Sequence, residues 1–315
     1  MPIRIQPGLR PALLAGLGAS VVLAACGSLG PGAAPAATSH KPASHPVAAE
    51  PVHIWAGAHQ PPAGFDWNPV PGSAYLAVTT VDGGQVSMLW MDPSHLKFRY
   101  VPGNQFPEAS PITKADVTPS TWVPNMVAAF SGGFKLADHV GGYYYAGRMV
   151  SPLLPGLATI VAYRDGTLQV GVWGRGQKLT PQMLMVRQNL PPLVDQGVIQ
   201  TKPTDVPHTW GFTFNLRWKV NRSALGQRPD GTLVFAYGHL IKPVTLASYI
   251  AATGVTTAID LDMNGYWPAA FTYRHVGTKT IGARLNPYVV HTPSLYFNQY
   301  HKDFFAVEAF PAVIS

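Results

Sequence analysis

Cysteine is nearly absent from this chain: Cys26 is the single one in 315 residues, so an intramolecular disulfide is excluded. Charge is scarce too. Only 12% of the residues are charged, and 15 acids face 22 Lys and Arg, for a formal net charge of +7. That excess is spread along the sequence with no clustered Lys/Arg stripe, which argues against a nucleic-acid partner and leaves anionic ligands such as phosphates or cell-envelope polymers open. After the first thirty residues no apolar run approaches the ~20 residues that a membrane-crossing helix needs. Also missing are a Walker-type loop, a Gly-x-Ser-x-Gly elbow, and any His-x-His or His-Glu-x-x-His spacing among the 11 histidines. P-loop, serine-hydrolase and zinc-protease chemistry therefore have no support in the sequence.

What is present is apolar: 47% of the residues are hydrophobic, enough for one large core. The N-terminus carries Arg4 and Arg10, then an apolar segment from Pro11 to Ala25 too short to span a bilayer, then Leu23-Ala24-Ala25-Cys26-Gly27. That spelling resembles a bacterial lipoprotein signal, with an ordinary secretory signal as the plainer alternative. The resemblance implies a signal peptide over 1–25, lipidation of Cys26, and an extracytoplasmic protein held to the membrane by that lipid. Residues 26–50 are rich in Pro, Ala, Gly and Ser, which predicts a flexible tether. Residues 51–315 are expected to form one folded domain.

Short β-branched and aromatic runs dominate that domain. Strands are predicted at Ala74 to Val81, Gln85 to Trp90, Met126 to Ala129, Ala158 to Tyr163, Thr167 to Trp173, Trp210 to Asn215 and Thr232 to Ala236, with hairpins over 74–90 and 158–173. Helices are predicted at Thr180 to Arg187 and, more clearly, at Thr245 to Thr253, which follows Pro243 and stops at Gly254. Strand, helix and the strand Val255 to Leu261 make a βαβ unit with parallel strands near 232–262. The fold class is α+β, a mixed, mostly antiparallel sheet with a few helices.

Residues 256–267, TTAIDLDMNGYW, end an apolar strand with two acids in a chain that has few. By the two-residue period of a strand, Asp260 and Asp262 are expected on one face at its carboxyl end. Two such charges in a dry place require that one keep its proton, or that an arginine or a cation neutralise the pair.

Three segments in order carry a family resemblance. They are Phe130-Ser131-Gly132-Gly133-Phe134 with Gly141-Gly142-Tyr143; Asn221-Arg222-Ser223-Ala224-Leu225-Gly226 followed by Asp230-Gly231; and Ala258-Ile259-Asp260-Leu261-Asp262-Met263-Asn264-Gly265. Together, over roughly Tyr75 to Val307, they resemble the phosphodiester glycosidase family, and particularly bacterial extracytoplasmic members that end in a stretch like Asp303 to Val307. Where the family has Asn, this chain has Ser131 and Asp260; where it has small residues, this chain has Met263, Asn264, Tyr266 and Trp267.

The resemblance implies a hydrolase that cleaves a glycosyl phosphodiester in cell-envelope or exopolysaccharide material. Asp262 is then the acid/base or a cation ligand, Asp260 tunes it, and Arg222 clamps phosphate. Ser131, Gly132, Gly133, Ser223, Asn264 and Gly265 line the substrate. No cofactor is demanded by these motifs, although a divalent cation on Asp260 and Asp262 is compatible with them. The plainer reading of each residue is structural: aspartates paired with an arginine, an arginine beside a turn, glycines in ordinary turns. Aromatics such as Tyr143, Tyr266, Trp267 and Tyr273 could stack on sugars or fill the core. The alternative function is a non-catalytic, glycan-binding envelope lipoprotein on the same scaffold.

Overall fold

The computed structural model describes residues 59–309, apart from 73, 82, 106, 108–117, 139, 203, 207, 214–216 and 299. The signal peptide, Cys26 and the tether expected at 1–50 lie outside the described residues.

Three antiparallel sheets make up the fold. The first has eight strands in the order β1 (Asn68–Val70), β2 (Ala74–Val81), β3 (Gly84–Met91), β14 (Leu233–Ile241), β13 (Val220–Gln227), β15 (Thr257–Met263), β11 (Val194–Asp195) and β12 (Val198–Ile199). The second runs β7 (Arg148–Ser151), β6 (Tyr143–Tyr145), β10 (Met183–Gln188), β8 (Ala158–Tyr163) and β9 (Leu168–Val172). The third runs β17 (Lys279–Arg284), β16 (Ala270–Val276), β5 (Met126–Ser131), β18 (Phe304–Ala309) and β4 (Leu96–Val101). One α-helix, α1 (Pro243–Ala252), is found among the described residues. The α+β class therefore holds, with strands predominating.

The expected βαβ unit is β14, α1 and β15. Both strands pair antiparallel with β13, so they run parallel to each other with β13 between them. Pro243 opens α1 at its first position, where a missing N–H costs nothing. Leu246, Ala247 and Ile250 are buried against Val234, Ala236, Val255 and Ala258. Gly254, at φ +82°, takes the left-handed conformation that ends the helix. Because α1 covers one face of β13 to β15 and the main core covers the other, those strands are buried at consecutive positions. In the main core Phe130 stacks on Phe235 at 4.6 Å and on Phe305 at 5.4 Å between ring centres, joining the first and third sheets.

Both predicted hairpins form, as β2–β3 and β8–β9. Two expectations fail. The helix predicted over 180–187 is instead the strand β10, paired with β6 on one side and β8 on the other. Met183, Met185, Val186 and Arg187 are all buried there, and the Thr-Pro start belongs to the turn before it. The segment from Trp210 is not a strand at 210–213, and 214 and 215 lie outside the described residues.

Candidate functional site

The acid pair sits on a fault in its strand. Between the partners Arg222↔Met263 and Ala224↔Asp260, β15 spends one residue more than β13, a bulge at 261–262. The two-residue alternation does not carry through an extra residue, and the two carboxylates meet different cations. Asp260 lies 3.7 Å from Nη1 of Arg222. Asp262 pairs through Oδ1 with the Lys302 ammonium. The two acids thus share no cation, and a bulge lies between them.

A third pair completes the cluster: Nε of Arg187 donates to Oδ2 of Asp303 at 3.2 Å. The Tyr100 hydroxyl donates to the same oxygen at 3.2 Å and lies 3.1 Å from the Tyr143 hydroxyl, and the Arg187 guanidinium lies 5.6 Å from the centre of the Tyr143 ring. All six ions, Asp260, Asp262, Asp303, Arg187, Arg222 and Lys302, are at most 2% exposed. Three carboxyl groups meet three basic ones, the pairing that lets this many ionisable groups lie away from water.

Each sheet contributes. Arg222 and the acid pair come from the first sheet, Arg187 from β10 of the second, and Lys302 and Asp303 from the entry to β18 of the third. Backbone bonds lock the arrangement: Asn189 donates to the Asp260 carbonyl at 2.6 Å, Ser223 to the Asp262 carbonyl at 2.9 Å, and Gly132 to the Asp303 carbonyl at 2.9 Å.

Burial dominates the electrostatics. It pushes Asp260 up to about 7 against the pull of Arg222, with Asp262 adding to the rise. Asp262 is pushed up to about 6, again chiefly by burial, while Lys302 pulls it back down. Burial lowers Arg222, partly opposed by Asp260. Arg187 is raised despite its burial, because Asp303, Tyr100 and Tyr143 favour its charge. Several of these groups keep polar atoms without a hydrogen-bond partner among the described residues: both carboxylate oxygens of Asp260, Oδ2 of Asp262, Oδ1 of Asp303, and Nε and Nη2 of Arg222.

Above the cluster opens a cavity of about 460 Å³. Asp262 and Lys302 reach its lining, together with Lys135, Asp138, His208 and Trp267. Nζ of Lys302 and Nζ of Lys135 each lie 5.0 Å from the centre of the Trp267 ring. The cavity therefore presents carboxyl groups, two ammonium groups and an aromatic face in one place. An anionic group on an apolar ring suits that combination.

Of the residues singled out in the sequence, Asp262 and Asn264 line this cavity, as do Phe134, Met263 and Trp267. Asn264, at φ +75°, donates its side-chain amide to the Phe212 carbonyl at 3.2 Å. Asp260 and Arg222 lie behind it, fully buried; Nη1 of Arg222 donates to the Trp210 carbonyl at 2.8 Å. Ser131 and Ser223 are buried as well, and the Ser131 hydroxyl accepts from the Ala269 amide at 3.3 Å. Gly132 and Gly133 are packed from behind rather than open toward the cavity: a β-carbon at 132 would run into the Asp303 carboxylate, and one at 133 would come to 3.4 Å from Nη2 of Arg187. Gly265 is exposed and has open space where a β-carbon would be. Sequence reasoning missed Lys302, Arg187, Lys135 and Asp138. Lys302-Asp303 before an apolar strand, and Arg187 within one, were the available signals.

No three His, Cys, Asp or Glu side chains come together as a ligand set among the described residues. The acid pair does not fit a divalent cation either: the Lys302 ammonium already occupies Asp262, and Arg222 stands beside Asp260. No helix among the described residues is long and apolar enough to cross a membrane.

No family model matches the chain, and no curated protein does. Among solved structures it is similar to the catalytic domain of zebrafish N-acetylglucosamine-1-phosphodiester alpha-N-acetylglucosaminidase, in a form auto-inhibited by its pro-peptide, at 16% identity and a TM-score of 0.45 over 80% of this chain and 86% of that one. A hypothetical protein from Synechocystis is similar at 11% identity and a TM-score of 0.40, over 75% and 62% of the two chains. A protein described as exported, from Burkholderia pseudomallei, is similar at 12% identity and 0.36, over 76% and 75%. These are distant likenesses of fold.

Proposed function

We propose that this protein is an extracytoplasmic hydrolase that cleaves a glycosyl phosphodiester of cell-envelope material. The observation that carries the reading is Asp262: a buried carboxyl pushed up to about 6 by its surroundings, paired with Lys302, at the lining of an open cavity. The ordered motifs around Gly132, Arg222 and Asp262 point the same way. The lipoprotein-like N-terminus supports anchoring through Cys26.

The chemistry follows from charge. A phosphate leaving group needs little protonation once its negative charge is held, and Lys302 and Lys135 hold it by position. The remaining demand is a base for water. Asp262, more basic than an ordinary carboxylate and still largely ionised near neutrality, accepts the proton of a water that attacks the anomeric carbon. The bond from that carbon to the phosphate oxygen breaks, its electron pair leaves with the phosphate monoester, and free sugar is released. Trp267 supplies a face for the ring. Arg222 and Asp260, behind the cavity, hold β15 in place rather than touch substrate.

The test is release of free sugar from sugar 1-phosphodiesters by the full chain, compared with Asp262→Asn and Lys302→Met. Losses of about 10²-fold or more in kcat/KM are expected, with folding verified by thermal unfolding. Full activity in Asp262→Asn would refute the assignment. One observation favours the second reading, glycan binding without turnover: Met263 fills part of the lining where the resembled family has a small residue. Binding of wall polymer with no sugar released, unchanged in Asp262→Asn, would decide for it.

A further inference from the structure

We propose that the cavity takes phosphate esters whose alcohol is an apolar, lipid-type chain, so that the substrate is a sugar phosphodiester of such an alcohol; the substrate part of this rests on the hydrolase reading given above. The wall carries it. Phe134, Val140 and Met263 pack as one hydrophobic cluster with Leu190 against it, and all of them line the cavity of about 460 Å³. One stretch of the lining is therefore continuously apolar.

Phe212 extends that stretch. It is 61% exposed, lines the same cavity, and follows Gly211, whose backbone lies so near the Phe134 ring that a β-carbon there would come to 2.8 Å from it. The His208 ring stacks on Phe212 at 5.7 Å between centres. Joined to the cluster at one opening, Phe212 belongs to an apolar patch and is not a scattered exposed residue.

Leu190 is a separate observation. Its φ is +57°, in the left-handed region that suits Gly or Asn and strains the backbone of a leucine. The chain holds it there from both sides: its N–H donates to the Val140 carbonyl at 2.7 Å, and its carbonyl accepts from the Ala158 amide at 3.0 Å. The half-buried side chain carried by this conformation lies on the cavity. Backbone strain of this kind collects at ligand sites, and the part of a ligand that a leucine suits is apolar.

The charge is supplied beside it. The ammonium groups of Lys135 and Lys302, flanking Trp267, take the phosphate, and the chain runs along Leu190 and Phe212. Ligand pockets span about 300–1,000 Å³, and one of this size takes the sugar phosphate with only the first carbons of a long chain. In the step assigned above, the bond from the anomeric carbon to the phosphate oxygen breaks and its electron pair stays on the alkyl phosphate. Water gives its hydroxyl to the sugar and its proton to Asp262.

The experiment is calorimetric titration of the full chain with ethyl phosphate, hexyl phosphate and hexyltrimethylammonium, beside sugar release from the sugar 1-phosphodiesters of ethanol and hexanol. Hexyl phosphate is expected to bind about tenfold or more tighter than ethyl phosphate, since each fully buried methylene is worth about fourfold. The cation with the same chain is not expected to bind. Leu190→Asn, which suits the backbone, and Phe212→Ser should each cut the hexyl-to-ethyl ratio about threefold or more and leave ethyl phosphate binding unchanged. The proposal is overturned if hexyl phosphate binds no better than ethyl phosphate up to about 10 mM, if hexyltrimethylammonium binds as well, or if both variants, unfolding at the parental temperature, keep the ratio. Binding needs no turnover. A hexyl preference with no sugar released from either ester keeps the apolar phosphate site and removes the hydrolase, whereas release that is indifferent to the ester keeps the hydrolase and overturns this proposal.

Discussion

Replacing Asp260 by Asn should make the protein more tolerant of neutral and alkaline pH than the wild type. Asp260 is fully buried, neither carboxylate oxygen has a hydrogen-bond partner among the described residues, and its nearest cation, Nη1 of Arg222, is 3.7 Å away. Burial therefore wins over the ion pair, and the group moves from an ordinary 3.8 to about 7. A carboxyl whose pKa is raised on folding stabilises the folded state below its unfolded value and loses that contribution as pH rises through its folded value. Here the window runs from about 4 to about 7. Roughly three pH units at about 1.4 kcal/mol each give an upper bound of about 4 kcal/mol. Asn cannot titrate, so its stability relative to wild type should climb by up to that amount between pH 4 and pH 8, whatever the fixed cost of the substitution to Arg222. Urea unfolding of both proteins at each pH measures the difference, provided that the slopes agree. Parallel curves would refute the reasoning. A difference that grows in favour of wild type with rising pH would show that Arg222 holds Asp260 ionised, the opposite balance of forces.

Lys302→Met should destabilise the protein by about 3–5 kcal/mol above pH 6, because it leaves the buried Asp262 charge without its cation; the loss should shrink below pH 5 as Asp262 takes a proton, read as urea midpoints at the two pH values. Gly132→Ala should cost about 1–3 kcal/mol, since the new methyl meets the Asp303 carboxylate, whereas Gly265→Ala, with open space, should change the unfolding temperature little. If Asp262 is the base, kcat/KM for sugar release should fall on acidification through about 6, and a pH-independent rate between 5 and 8 would exclude that role.

How much of this was legible beforehand depended on where the information lay. Local patterns were readable: β2, β8 and α1 follow from alternation, turn residues, and Pro243 and Gly254 at the helix ends. β10 misled because Thr180-Pro181 imitates a helix start, while the pairing that makes 183–188 a strand comes from β6 and β8, residues distant in sequence. Asp262 could be singled out because an acid ending an apolar strand is costly without a reason. Its partner could not. Lys302 is one of many lysines in sequence terms, and only the bulge in β15 together with the entry to β18 brings it there. The same bulge separated Asp260 and Asp262, which a strict two-residue period places together. The role given to Arg222 required it to be accessible, and burial on both faces of β13 is a property of the assembled sheets.

The ion cluster also explains why its members are not local. Lys302 reaches back 40 residues to Asp262, and Arg187 reaches 116 to Asp303. Each pair ties one sheet to another, and Asn189 ties the second sheet to the first at Asp260. Lys302 and Asp303 are adjacent, so their side chains leave the chain in different directions and serve two pairs at once. Neither of these two pairs can form until two sheets have met, whereas Arg222 and Asp260 join neighbouring strands of the first sheet, and none of the three is satisfied in an unfolded chain. The raised values of Asp260 and Asp262 are therefore properties of the finished assembly alone. That is why pH should act on the whole fold cooperatively, and why the one carboxyl of the pair that reaches the cavity arrives there already held at a value useful for chemistry near neutrality.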